Sequence, residues 1–129
     1  MNQLSIPGTQ SAPGIEGDWG RGVLFMEGDS YPENSHELFQ PVFTWVERFL
    51  EEAGRPLTLE LQLLYLNTSS VKAMMDIFDL LEEAHGAGKP VAVNWRYDPR
   101  NERVAELAEE FREDCSFAFS ILPLQQQAP

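Results

Sequence analysis

Leu57-Thr58-Leu59-Glu60-Leu61-Gln62-Leu63-Leu64-Tyr65-Leu66-Asn67-Thr68-Ser69-Ser70 decides how this chain folds, because within it a strand pattern runs directly into the start of a helix. Leu57, Leu59, Leu61 and Leu63 alternate with Thr58, Glu60 and Gln62, the period of a strand with one buried face. The phase then slips through Leu64 and Leu66, which predicts a bulge or full burial near the strand's end. Beyond it, Asn67, Thr68, Ser69 and Ser70 bring a polar cluster to a helix N-terminus, where first-turn N–H groups are unpaired and the macrodipole is positive. Such an end takes an ordinary side-chain cap, and it also holds the charge of a phosphate. On local grounds the cap is the commoner use, and the three adjacent hydroxyls make the same site a candidate phosphorylation switch.

Working outward, residues 69–85 read as an amphipathic helix with Val71, Met74, Met75, Phe78 and Leu81 on one face and Ile77 and Leu80 widening it, while Lys72, Asp76, Asp79, Glu82 and Glu83 face elsewhere. Gly86-Ala87-Gly88 stops that helix, and residues 90–97 read as a strand. Asp98-Pro99 opens a third helix, striped by Val104, Leu107, Ala108 and Phe111, before a last strand over residues 117–122. Upstream, Asn34 and Glu37 resemble a capping box for a first helix carrying Leu38, Val42, Trp45, Val46, Phe49 and Leu50. Pro41 predicts that this helix either kinks or properly begins there. Residues 15–31 form two strands about the turn Asp18-Trp19-Gly20-Arg21-Gly22, and the turn-forming residues 6–14 read as an arm.

The order β-β-α-β-α-β-α-β predicts a single α/β domain over residues 1–122, a mixed sheet with helices packed against it and its middle strands parallel. Ligands and partners gather at the carboxyl ends of such strands, where Asn67 to Ser70 lie. Residues 123–129 read as a disordered tail.

A chain of 129 residues, 43% of them hydrophobic, has enough apolar material for one core and is no disordered chain. No apolar run approaches the ~20 residues of a membrane helix, so no membrane insertion is expected. The first residues lack the basic and apolar regions of a secretory signal, and a cytoplasmic location is expected. The net charge of -12 repels a phosphate backbone, which argues against nucleic acid as a partner. Cys115 is the single cysteine, read as a small buried hydrophobe and not a reactive thiol.

Enzymatic chemistry finds few supports. His36 and His85 fall on different helices outside any nucleophile motif, and the pairs Glu51-Glu52, Glu82-Glu83 and Glu109-Glu110 are neighbours that do not face each other on a helix. Gly14, Gly17, Gly20 and Gly22 lack the Lys-Ser/Thr ending of a P-loop and read as hairpin turns. No metal and no cofactor is expected. Met74-Met75 with Phe78 reads as core before partner surface, and Asp98-Pro99-Arg100-Asn101-Glu102 as a cap and turn or as recognition residues. An enzyme with a carboxylate site near Asn67 and Asp98 is the reading from a different class, and a perturbed carboxylate there would support it.

Tyr65-Leu66-Asn67-Thr68-Ser69-Ser70-Val71-Lys72-Ala73-Met74-Met75-Asp76 and Val93-Asn94-Trp95-Arg96-Tyr97-Asp98-Pro99-Arg100-Asn101-Glu102 closely resemble the SiaC family of bacterial regulatory phosphoproteins. Ile6-Pro7-Gly8-Thr9-Gln10-Ser11 and Gly28-Asp29-Ser30-Tyr31-Pro32-Glu33-Asn34-Ser35 are similar to that family as well. The resemblance implies a fold like that of STAS, or anti-anti-sigma-factor, domains. It implies a non-enzymatic phosphoswitch in which Thr68 is phosphorylated by a SiaB-like protein kinase and restored by a SiaA-like PP2C-type phosphatase. The unmodified form would bind and activate a SiaD-like diguanylate cyclase, raising cyclic di-GMP and favouring aggregation and biofilm. Ser69 and Ser70 leave the acceptor open on residue type alone. Asn67, Ser69, Ser70 and Lys72 are expected to support the site or touch a partner. An anti-anti-sigma-like antagonist in a partner-switching transcription circuit is the alternative within the same binding class.

Overall fold

Parallel neighbouring strands need a crossover, and three amphipathic helices supply one each in this chain. The computed structural model describes residues 3–124. Strands β1 (Leu4–Ile6), β2 (Gly14–Asp18), β3 (Val23–Ser30), β4 (Leu57–Leu66), β5 (Val91–Tyr97) and β6 (Ala118–Pro123) lie side by side in sequence order. Helices α1 (Ser35–Glu52), α2 (Thr68–Gly86) and α3 (Glu102–Glu113) make the crossovers from β3 to β6. Those four strands are parallel, whereas β1, β2 and β3 pair antiparallel, so the sheet is mixed as the pattern of elements predicts.

Each crossover steps one strand in the same direction, so right-handed connections place all three helices on one face. Burial agrees. Ile15, Leu24, Met26, Leu57, Leu59, Leu61, Leu63, Val91, Val93, Trp95 and Phe119 are buried with Val46, Phe49, Ile77, Phe78, Leu81, Ala108 and Phe111 from the helices. Among the described residues, the other face is bare of helices. In register across it run Ser5, Glu16, Phe25, Glu60, Asn94 and Ser120, one residue from every strand.

The leucine phase slip is a bulge. Gly28 pairs with Leu63 but Asp29 with Tyr65, so Leu64 is the extra residue on β4. Gly28 sits at φ +112°, a conformation that favours glycine, on the strand opposite the bulge. Past the bulge Leu64 and Tyr65 are exposed and Leu66 turns inward.

Several boundaries differ from the sequence expectation. A short strand β1 that the expected order lacks precedes the arm and shares only Ile6 with it, in register with Ile15, Glu16 and Gly17, because its apolar Leu4 and Ile6 cover part of the core at the sheet edge. α1 runs through Pro41 from Ser35; Asn34 Oδ1 accepts from Glu37 N–H at 3.0 Å, and Phe39 joins the buried face. In α2 the buried arc is Ser70, Ala73, Met74, Ile77, Phe78, Leu81 and Ala84. Met75, about 100° round from Met74, is 47% exposed, so the two methionines do not share the core face. α3 starts later than Asp98: Asn101 is its N-cap, with Oδ1 accepting from Val104 N–H, while Asp98 closes a turn onto Arg100. β6 takes in Pro123, and Leu124 N–H donates to Tyr97 O at 2.7 Å, so these two residues of the expected tail are held on the sheet. The rest of that tail, residues 125–129, lies outside the described residues.

Candidate functional site: the start of the second helix

Every helix of this fold follows a parallel strand, so all three begin at the carboxyl ends of β3, β4 and β5. That common edge holds the polar cluster. Asn67 leaves β4 with φ -75° and ψ 173° and caps α2, its Oδ1 accepting from Ser70 N–H at 2.9 Å. Its own N–H donates to Ser30 O at 2.9 Å, which fixes the turn to the end of β3. Asn67 is therefore the N-cap of α2.

The three hydroxyls that follow have different surroundings. Ser70 is fully buried, and its Oγ lies 2.7 Å from Oγ of Ser30, also fully buried. Each satisfies the other in an otherwise apolar layer. Ser69 is exposed, yet its Oγ donates to Asn67 Oδ1 at 3.2 Å and lies 2.6 Å from Oγ of Ser35, the first residue of α1. Thr68 is exposed, and its hydroxyl makes no hydrogen bond with any described residue.

Lys72 lies one turn on from Thr68 and Met75 a turn further, so Thr68, Lys72 and Met75 form one exposed stripe along α2. Lys72 forms no ion pair with a described residue. Beside the helix start stand Tyr31 and Tyr65, 40% and 54% exposed, with ring centroids 6.0 Å apart in an edge-to-face pair. Tyr31 N–H donates to Ser11 O at 2.8 Å, and Asn101 Nδ2 donates to Leu64 O at 3.2 Å, tying the arm and the α3 cap to the same edge. α1 and α3 carry Glu37 and Glu102 in their first turns, whereas α2 carries no acidic residue there. The dipole of α2 is thus left without a compensating carboxylate.

Asp98 is the perturbed carboxylate at this edge. Hydrogen bonds from the Arg100 side chain and backbone hold it down at about 2, the wrong direction for a general base working near neutrality. Burial pushes the Cys115 thiol up to about 11, in keeping with a half-buried side chain whose Sγ donates to Phe111 O. Among the described residues no group of three or more His, Cys, Asp or Glu can hold a metal ion. A groove of about 560 Å³ lies on the bare sheet face beside Glu16, Phe25, Glu60 and Arg96, away from Thr68. No described helix is long and apolar enough to cross a membrane.

The model of the SiaC family regulatory phosphoproteins matches residues 6–124. The chain belongs to the SiaC family. Of its relatives, an uncharacterized protein of Pseudomonas aeruginosa (strain UCBPP-PA14) is 71% identical over 121 residues, 94% of this chain and 96% of that one. The crystal structure of apo-SiaC from Pseudomonas aeruginosa superposes with a TM-score of 0.91 at 69% identity, covering 95% of this chain and 99% of that chain. A crystal structure of the diguanylate cyclase SiaD in complex with its activator SiaC, also from Pseudomonas aeruginosa, matches with a TM-score of 0.92 at 70% identity over 94% of this chain and 99% of that chain. The SiaC fold is therefore the α/β fold described above, and regulatory phosphorylation is the property of this family. Sequence reasoning singled out Asn67 to Ser70 but not Ser30 and Ser35. Their signals were faint: a serine in the inward phase of β3, and a serine directly after the cap Asn34.

Proposed function

We propose that this SiaC-family chain is a non-enzymatic, cytoplasmic adaptor built as one STAS-like domain, its sheet taking in Pro123 and Leu124 past the expected boundary at residue 122, and switched by phosphorylation of Thr68. A SiaB-like kinase adds the phosphate and a SiaA-like PP2C-type phosphatase removes it. The unmodified form binds and activates a SiaD-like diguanylate cyclase, raising cyclic di-GMP and promoting aggregation and biofilm. The observation that carries this reading is the contrast within the hydroxyl cluster: Thr68 alone is both exposed and without a hydrogen bond to the described residues.

Phosphorylation adds about -1.5 to -2 charges, and the uncompensated N-terminus of α2 holds them without refolding. A partner packed over Tyr31, Tyr65 and Met75 meets that charge at close quarters, where like or unpaired charge costs several kcal/mol. Lys72 pairs with the phosphate or solvates the helix. Incubation with the SiaB-like kinase and ATP, followed by site mapping and cyclase binding, tests the switch. Phosphate on Thr68 should weaken binding roughly 100-fold, Thr68→Ala should bind as wild type, and Thr68→Glu should fall between because it carries less charge and fewer oxygens. Equal cyclase activation by the modified and unmodified forms would overturn the mechanism.

A further inference from the structure

Three adjacent hydroxyls at one helix start pose a question of choice for any kinase that reaches them. We infer that the chain itself selects the acceptor, with Ser35 of α1 as the residue that masks Ser69 and leaves Thr68 as the hydroxyl on offer. This rests on the reading of Thr68 as a phosphoacceptor and adds what excludes its neighbours.

Two contacts that hold the Ser69 hydroxyl carry the inference. Its Oγ lies 3.2 Å from Asn67 Oδ1, which can only accept, and 2.6 Å from Ser35 Oγ, where either hydroxyl can donate. Whichever way the shorter bond runs, the single Ser69 proton is committed, to Asn67 or to Ser35, and the Oγ is held in one rotamer between them. Phosphoryl transfer needs that hydroxyl turned outward: an Oγ lone pair forms the new bond to the γ-phosphorus of ATP as the bond to the ADP oxygen breaks, and a base on the kinase takes the hydroxyl proton. Ser70 is excluded by burial against Ser30, whatever the kinase. Thr68 has neither restraint and is exposed.

Ser35 is suited to this task because it costs the fold little to change. It is the first residue of α1, partly exposed, and the cap of that helix is its neighbour Asn34. Alanine is the best helix former at such a position, so Ser35→Ala removes the hydroxyl and leaves the helix. Losing the 2.6 Å contact leaves Ser69 held only by the longer one to Asn67, which should raise the population of outward-turned Ser69 rotamers roughly tenfold.

The test is site-resolved phosphate mapping after reaction with the SiaB-like kinase and ATP. Thr68→Ala should take up little phosphate, and Thr68→Ala/Ser35→Ala should take it on Ser69 roughly ten times faster. Thr68→Ala/Ser35→Thr, which restores a hydroxyl, should return to the low rate. Ser35→Ala alone should leave the rate at Thr68 unchanged, a result that a general loosening of the helix start would not give. Efficient labelling of Ser69 in Thr68→Ala, or equal rates with and without Ser35, would overturn the mask while leaving Thr68 as acceptor. A wild-type chain that takes no phosphate on Thr68 would overturn the underlying reading instead.

Discussion

Asp98 shows how one side chain at the switch edge is spoken for by its neighbours. Both carboxylate oxygens accept from the Arg100 guanidinium, and one also accepts from Arg100 N–H at 2.9 Å. Its pKa falls to about 2 in the folded chain against an ordinary 3.8, so the turn's contribution to stability is complete above the unfolded value and is lost as pH drops from about 4 through about 2. Arg100→Ala should bring the Asp98 titration, followed by carbon NMR, back up toward the ordinary carboxylate range. An unchanged midpoint would mean that something other than the guanidinium holds the proton off. The same ion pair explains why Asp98 is no cap: its oxygens are occupied, and Asn101 three residues later does the capping.

Among elements, the fit of α1 onto the sheet hangs on a residue with no side chain. A Cβ added to Gly17 would stand 2.6 Å from Trp45 Cε2, and Trp45 itself stacks on Phe49 with centroids 5.5 Å apart. Gly17→Ala should therefore cost about 1–3 kcal/mol by overpacking, read as a lower denaturation midpoint with an unchanged slope. A wild-type midpoint would show that α1 slides freely on β2. The order of elements from β2 onward, the parallel middle strands, the bulge in β4 and the hydroxyl cluster at the head of α2 were all legible in the sequence, because each rests on a local rule of period or capping. What was not legible depends on tertiary partners. Residues 4–6 carry too short a stretch for any period to show, and they become strand by pairing with β2. Met75 matches the helical spacing as well as Met74 does, and only the joint position of α1 and the sheet turns it outward. Ser30 and Ser35 gain meaning from residues 40 and 34 positions away in the chain.

At the scale of the whole molecule, a net charge of -12 already surrounds the protein, so one more phosphate barely alters its distant field. The proposed switch would have to act by contact, inside a Debye length of about 8 Å. Raising NaCl from about 0.15 M to about 0.5 M should then change the ratio of the two forms' affinities for the proposed cyclase partner by less than about threefold. A ratio that collapses toward unity would place the effect in long-range repulsion.

β4 runs 10 residues from Leu57 to Leu66, so the two ends of the parallel strands are roughly 30 Å apart. Thr68 stands just past one end, and Cys115, which precedes β6, stands at the other. The chain's single thiol, with its pKa near 11, is thus remote from the switch and poorly nucleophilic at neutral pH. A reagent that acts through thiolates therefore finds none of this chain's beside Thr68, the acceptor proposed above.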